Sequence, residues 1–125
     1  MEKKYLQLND IDAYRRAFNL SNYVWDIVIK WDWFAKKHVG GHFVEAVDSI
    51  SANISEGFGR YHKKDKIKFY RYSQGSLEET SDWNEKSKVM GLLTKEQYDL
   101  VFVAVRVFFS SGRFLAALGM TSIVG

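Results

Sequence analysis

TKEQYDLVFVAVRVFFSSGRFLAALG, residues 94–119, is the stretch whose reading decides the fold. Thr94 followed three positions later by Gln97 forms a capping-box pair, so a helix begins here. Tyr98, Val101, Val105, Phe108, Gly112, Leu115 and Gly119 then alternate at three and four residues, the spacing of a seam that packs against neighbouring helices. Phe102, Val103, Val107, Phe109, Phe114 and Leu118 point in other directions, and a helix apolar most of the way round is covered on more than one side. A lone four-helix bundle covers one stripe per helix. At about 25 cal/mol per Å², leaving several of these side chains in water forfeits several kcal/mol. Phe102, Phe109, Phe114 and Leu118 are therefore assigned to an interface with another copy of the chain. A monomer with an oily flank, or a core that wraps further round, is the competing arrangement. This is also the only apolar run of membrane length, but it contains Arg106 and Arg113. Each costs about 2.5 to 3.5 kcal/mol at a bilayer centre, so the helix is expected to be buried in protein and no membrane partner is expected.

Working back along the chain, Ile11, Tyr14, Phe18, Ser21, Trp25 and Val28 give a first helix one seam over about 10–31, with Asn9 or Asp10 where a cap would sit. A polar and aromatic stretch with Gly40 and Gly41 interrupts the pattern. Val44, Val47, Ile50 and Ile54 then line a second helix over about 43–57, ended at Gly57 and Gly59 by the left-handed backbone that glycine tolerates. A third helix over about 64–90 turns Ile67, Tyr70, Leu77 and the apolar side of Trp83 inward and ends at Gly91. Gly75 and Ser76 in its middle give up helix propensity, which predicts close approach by a neighbouring helix. The fourth helix runs over about 95–119. The pattern predicts an all-α chain, an up-down-up-down antiparallel four-helix bundle forming one domain over residues 1–125.

Length and composition fit this. The chain has 125 residues, 46% hydrophobic and 26% charged, enough for one core and not for two. It has no cysteine, which removes disulfide and thiolate chemistry, and no proline, so every helix can run unbroken. The charged start Met1 to Asp10 has no secretion-signal core, so a cytoplasmic location is expected. A formal net charge of +3 permits an acidic partner without demanding one.

No constellation in the sequence makes an active site. His38, His42 and Glu45 have the i, i+4, i+7 spacing of metal ligands on one helix face, but Gly40 and Gly41 intervene and three candidates are few. They are assigned to solvated positions and no metal or cofactor is expected. Ser51, Ser55, Ser73 and Ser76 lack a nucleophile elbow and a histidine at a workable spacing. Gly57 and Gly59 follow a helix instead of a strand and lack the lysine of a phosphate loop. The paired carboxylates Glu78 and Glu79 suit capping or ion pairing better than acid–base work. The chain is read as a non-enzyme with no catalytic residue.

The densest charge is Arg60, Lys63, Lys64, Lys66, Lys68 and Arg71, broken only by Asp65 and interleaved with Tyr61, His62, Phe69, Tyr70 and Tyr72. On a helix Lys64, Lys68 and Arg71 share one face, flanked by Lys63 and Lys66, a row able to follow a phosphate backbone. Cations are poorly placed at the positive end of a helix, which favours a functional over an incidental origin. Arg60, His62, Lys63, Lys64, Lys66, Lys68 and Arg71 are the candidate nucleic-acid contacts. The competing assignment is a solvated helix start, or a charge pattern that sets register between subunits, since the sign reverses at Glu78, Glu79, Asp82 and Glu85.

The run SISANISEGFGR from Ser49 to Arg60 resembles the signature of a bacterial four-helix-bundle family, the proteins encoded in intervening sequences of large-subunit ribosomal RNA genes. Phe69, Gly75, Ser76, Leu77 and Glu79, ahead of Gly91-Leu92-Leu93, are similar to that family's third helix and its exit. The resemblance implies an up-down bundle in a ring-like homo-pentamer. A related branch is the accessory protein of diversity-generating retroelements, which binds nucleic acid and a reverse transcriptase through a basic outer surface. By resemblance the chain is expected to bind RNA or DNA, or, as the alternative, to be a scaffold docking a partner such as a reverse transcriptase without touching nucleic acid. Asn53, Glu56, Gly57, Gly59, Gly75 and Glu79 are its structural motif residues, with a side-chain cap and a Glu56–Arg60 ion pair holding the turn between the second and third helices. Two departures stand out. Val44 and Glu45 occupy positions where many relatives carry arginines, and Gly40-Gly41 stands where a proline is common.

Overall fold

A computed structural model describes residues 6–110, with Phe109 and Ser110 described by their backbone alone. A 3-10 turn at Leu8–Asp10 leads into α1 (Asp12–Val28). A short α2 (Trp33–Ala35), a π-helical turn (Lys36–Gly40) and α3 (Gly41–Phe58) follow head to tail, then α4 (Lys63–Val89) and α5 (Lys95–Ser110). Ala35, Gly40 and Gly41 keep right-handed helical dihedrals, so α2, the π turn and α3 make one rod. Among the described residues there are thus four helical rods, joined by short connections and packed as a four-helix bundle. Helix α3 lies against both α1 and α4, α5 packs on α4, and α1 and α5 touch only sparingly.

Physical causes for the boundaries are visible. The capping box at the start of α5 forms, with Gln97 N–H donating to Thr94 Oγ1 at 3.1 Å and Thr94 N–H to Gln97 Oε1 at 3.0 Å. Gly91, at φ 74°, ends α4. Leu92 N–H donates to Ser87 O at 2.9 Å and Gly91 N–H to Lys88 O at 3.0 Å, the paired bonds of a Schellman stop. Asp32 accepts from Ala35 N–H at 2.9 Å and starts the second rod at Trp33, well before residue 43. Gly40 and Gly41 therefore lie inside helix. A Cβ on Gly40 would stand 2.5 Å from Val28 Cγ1, so this glycine lets the π turn press against the end of α1.

The core consists chiefly of Ala13, Ala17, Leu20, Val24 and Val28 from α1, Phe43, Val47, Ile50 and Ile54 from α3, Leu77 from α4, and Val101, Val105 and Phe108 from α5. On α5 the expected seam holds at Tyr98, Val101, Val105 and Phe108, while Gly112, Leu115 and Gly119 lie outside the described residues. On α1 the expected seam holds at its ends, Ile11 and Val28, and is corrected between them. Phe18 and Trp25 are about half exposed, at 49% and 53%, and the buried stripe is the neighbouring one through the alanines. Nor is α1 capped by Asn9 or Asp10: its cap position is Ile11, without a side-chain bond.

Two glycine expectations are also corrected. Gly59, at φ −77°, is right-handed, so α3 ends without a left-handed residue. Gly75 has nothing within 4 Å of an added Cβ. The buried face of α4 is instead a narrow polar stripe, Ser73, Ser76, Thr80, Asn84 and Ser87, beside Leu77; Asn84 Nδ2 donates across to Tyr98 O of α5 at 3.1 Å. Ser73 Oγ donates to Ile50 O at 3.1 Å, joining α4 to α3, and Thr80 Oγ1 returns to Ser76 O at 2.8 Å. Ser73, Ser76 and Thr80, short side chains that bond to backbone carbonyls, let helices approach closely there.

Candidate nucleic-acid interface

The basic segment spans the Gly59–His62 turn and the first two turns of α4. His62 occupies the cap position of α4 in extended conformation, with no side-chain bond to the helix. Asp65 is the one acid of the first turn.

The cations divide by what they touch. Lys66 Nζ donates to Gly57 O and Phe58 O, both at 3.2 Å. It therefore covers the last two carbonyls of α3, where a positive charge also suits the helix dipole. Arg60 pairs with Glu56 at 3.0 Å, and its guanidinium lies 4.8 Å from the centre of the Phe69 ring. Lys63, Lys64, Lys68 and Arg71 are exposed, and among the described residues no carboxylate pairs with them. Lys68 lies 5.9 Å from both the Phe69 and the Tyr72 rings.

Aromatic rings complete the surface. Tyr61 is 91% exposed and meets His62 edge-on at 5.1 Å. Tyr72 is 49% exposed and meets Phe69 edge-on at 5.6 Å. The sequence shows these rings interleaved with the cations but assigns them no role; only their exposure separates Tyr61 and Tyr72 from the half-buried Phe69 and Tyr70.

The remaining motif residues sit nearby or along the same helices. Asn53 Nδ2 donates back to Ser49 O at 2.8 Å within α3. Gly57 is buried in the last turn of α3, and Gly75 and Glu79 are exposed on α4. His38 lies against Phe34 at 4.4 Å, and His42 is stacked on Trp83 at 4.9 Å with the rings 5° apart. Among the described residues no three acids or histidines cluster as metal ligands, and no helix is long and apolar enough to cross a membrane.

A second surface is apolar. Leu100, Phe102 and Val103 of α5 are exposed at 44%, 37% and 56%. An open groove of about 730 Å³ runs between α1 and α5, lined by Leu20, Tyr23, Leu100, Val103, Val107 and Phe108 among others. Burial and the nearby Glu96 hold the Tyr23 phenol above its ordinary range. The Phe109 side chain, Phe114 and Leu118 lie outside the described residues.

No curated protein matches the chain. The family model described as 23S rRNA-intervening sequence protein matches residues 9–105, which takes in α1 through most of α5 and the whole basic turn. The chain belongs to that family.

Proposed function

From that membership we propose that the chain is a non-enzymatic, homo-oligomeric bundle that binds the phosphate backbone of nucleic acid through the start of α4. The observation that carries this is the set of exposed cations Lys63, Lys64, Lys68 and Arg71, which have no carboxylate partner among the described residues. His62 extends the set at the turn. Arg60 contributes only by exchanging Glu56 for a phosphate, and Lys66 contributes by holding the turn. Such contacts fix position on a backbone and carry no base sequence. The family's name, an intervening-sequence protein of ribosomal RNA, makes RNA the first nucleic acid to try.

Self-association, with a ring of five as the expected form, is supported by Leu100, Phe102 and Val103, which lie exposed on a helix whose other face is core. The cytoplasm is the fitting location for such a complex.

The test is binding of labelled RNA and labelled duplex DNA across a salt series, with the mass in solution recorded alongside. Each phosphate neutralised contributes about 0.7 to 0.9 to the slope of log affinity on log salt, so converting Lys63, Lys64, Lys68 and Arg71 to glutamate is expected to remove at least about 3 from that slope. A well-formed oligomer that binds neither probe at low salt refutes the reading and favours the protein-docking alternative, with a partner such as a reverse transcriptase.

A further inference from the structure

Two features of the basic surface are not needed for backbone contact. Tyr61 is 91% exposed: its ring buries almost nothing on folding and belongs to no core. Tyr72 is half exposed on the face of α4 that also carries Lys68. At 1.5 Å per residue it lies about 13 Å along the helix from Lys63. The two rings therefore bracket the row of cations, one at each end.

A duplex keeps its base faces inside its own stack and offers an exposed ring nothing to lie against, whereas an unpaired strand turns its bases outward. Single-strand binders combine a track of positive charge with aromatic rings on which successive bases stack. Both are present between Tyr61 and Tyr72. Residues 60–72 contain no Asn or Gln to read base edges, and the nearby Gln74 donates its amide to Tyr70 Oη at 3.1 Å. Stacking on such a surface tolerates any sequence. The ammonium of Lys68, loosely placed against both Phe69 and Tyr72 at 5.9 Å, is on a flexible stem free to turn to a phosphate when a base covers Tyr72.

We propose that this surface takes single-stranded nucleic acid, with bases stacking on Tyr61 and Tyr72 while Lys63, Lys64, Lys68 and Arg71 hold the backbone between them. The proposal rests on the nucleic-acid reading of the basic turn and names its substrate class.

The experiment uses the full chain, one fluorescently labelled single-stranded RNA, and the duplex made from it with its complement. Affinities are measured across a salt series for the unaltered protein, Tyr61→Ala, Tyr61→Phe, Tyr72→Ala and the four-site charge reversal, and compared at one salt concentration. Tyr61 stands in solvent, so its replacement leaves the helices intact, which a thermal melt verifies. The expected result is tighter binding of the single strand than of the duplex, and a loss of about 5- to 150-fold for the single strand in Tyr61→Ala. Tyr61→Phe restores it, and the salt slope stays unchanged. Equal affinity for strand and duplex, with neither tyrosine mattering but the charge reversal abolishing both, overturns the stacking proposal and leaves backbone binding standing. Binding of neither probe, or binding indifferent to the charge reversal, overturns both.

Discussion

Gly75→Ala is expected to stabilise the protein. Gly75 sits in the interior of the 27-residue helix α4, where an added Cβ meets nothing within 4 Å. Alanine is favoured over glycine there by about 0.8 to 1 kcal/mol, because it loses less backbone freedom on folding. With an unfolding entropy of about 2.1 cal/mol/K per residue, a chain of 125 residues gains roughly 3 to 4 °C in Tm. Gly40→Ala is the matched opposite. The same methyl would stand 2.5 Å from Val28 Cγ1 and 3.5 Å from Trp31 Cε3, and Val28 is buried. Overpacking costs about 1 to 3 kcal/mol, which exceeds or cancels the propensity gain, so Tm is expected to stay level or fall by several degrees. The assay is far-UV circular dichroism melting of both variants and the parent at one protein concentration, because the proposed self-association would make Tm depend on concentration. A Tm lowered by Gly75→Ala would refute the reasoning. It would mean that the face around Gly75 is covered by another chain and is not open.

Lys66→Met removes two hydrogen bonds to the carbonyls of Gly57 and Phe58; chemical denaturation is expected to show a loss of about 1 to 2 kcal/mol, with the RNA salt slope unchanged. Lys63→Glu with Lys64→Glu places anions at the positive end of α4, so the same denaturation assay should show a gain of about 0.3 to 1 kcal/mol per site while RNA affinity falls. Tyr98 donates a hydrogen bond to Glu85, and that bond, with burial and nearby carboxylates, raises its phenol pKa above 10.0. A raised folded-state value stabilises below the unfolded pKa and is lost as pH climbs through the folded one. Melts from pH 9 upward are thus expected to fall, and to fall less steeply in Tyr98→Phe. Val103→Glu puts a charge in the α1–α5 groove; light scattering is expected to show a smaller particle with α-helix retained.

The parts of the fold legible in the sequence are those where one residue type has one use. Thr94 with Gln97, and Gly91 past Met90, announce a helix start and a stop, and both form. The seam of α5 is legible because its inward positions are the large apolar ones. On α1 two stripes share the heptad spacing, and the aromatic one looks more like core. The buried one runs through Ala13 and Ala17, at 1% and 0% exposure, because a helix approached closely needs small side chains there. Helix α4 hides its inner face for the same reason: Ser73, Thr80 and Ser87 look like solvent residues, yet all are fully buried. Gly40 looks like a break and is instead the point where the π turn meets Val28.

For the candidate site, sequence shows the cluster of charge but not its division of labour. That division comes from one geometric accident of the turn. Because α3 ends at Phe58 and α4 starts at Lys63, the side chain of Lys66, one turn in, reaches back to the last carbonyls of α3. Lys63 and Lys64 precede it on the uncapped end of the helix, where dipole and like charge both oppose them. Folding would be served better by acids at those two positions, as it is by Asp65 beside them. The cations kept there act against local stability, and the proposed contact with phosphate would give them a use outside the fold. Tyr61 adds to this. A ring left 91% in water gains nothing from folding either, and it stands next to the same lysines. Among the described residues, those that neither pack, cap nor pair converge on this turn, and the proposed unpaired, polyanionic strand is a partner whose chemistry would use both kinds at once.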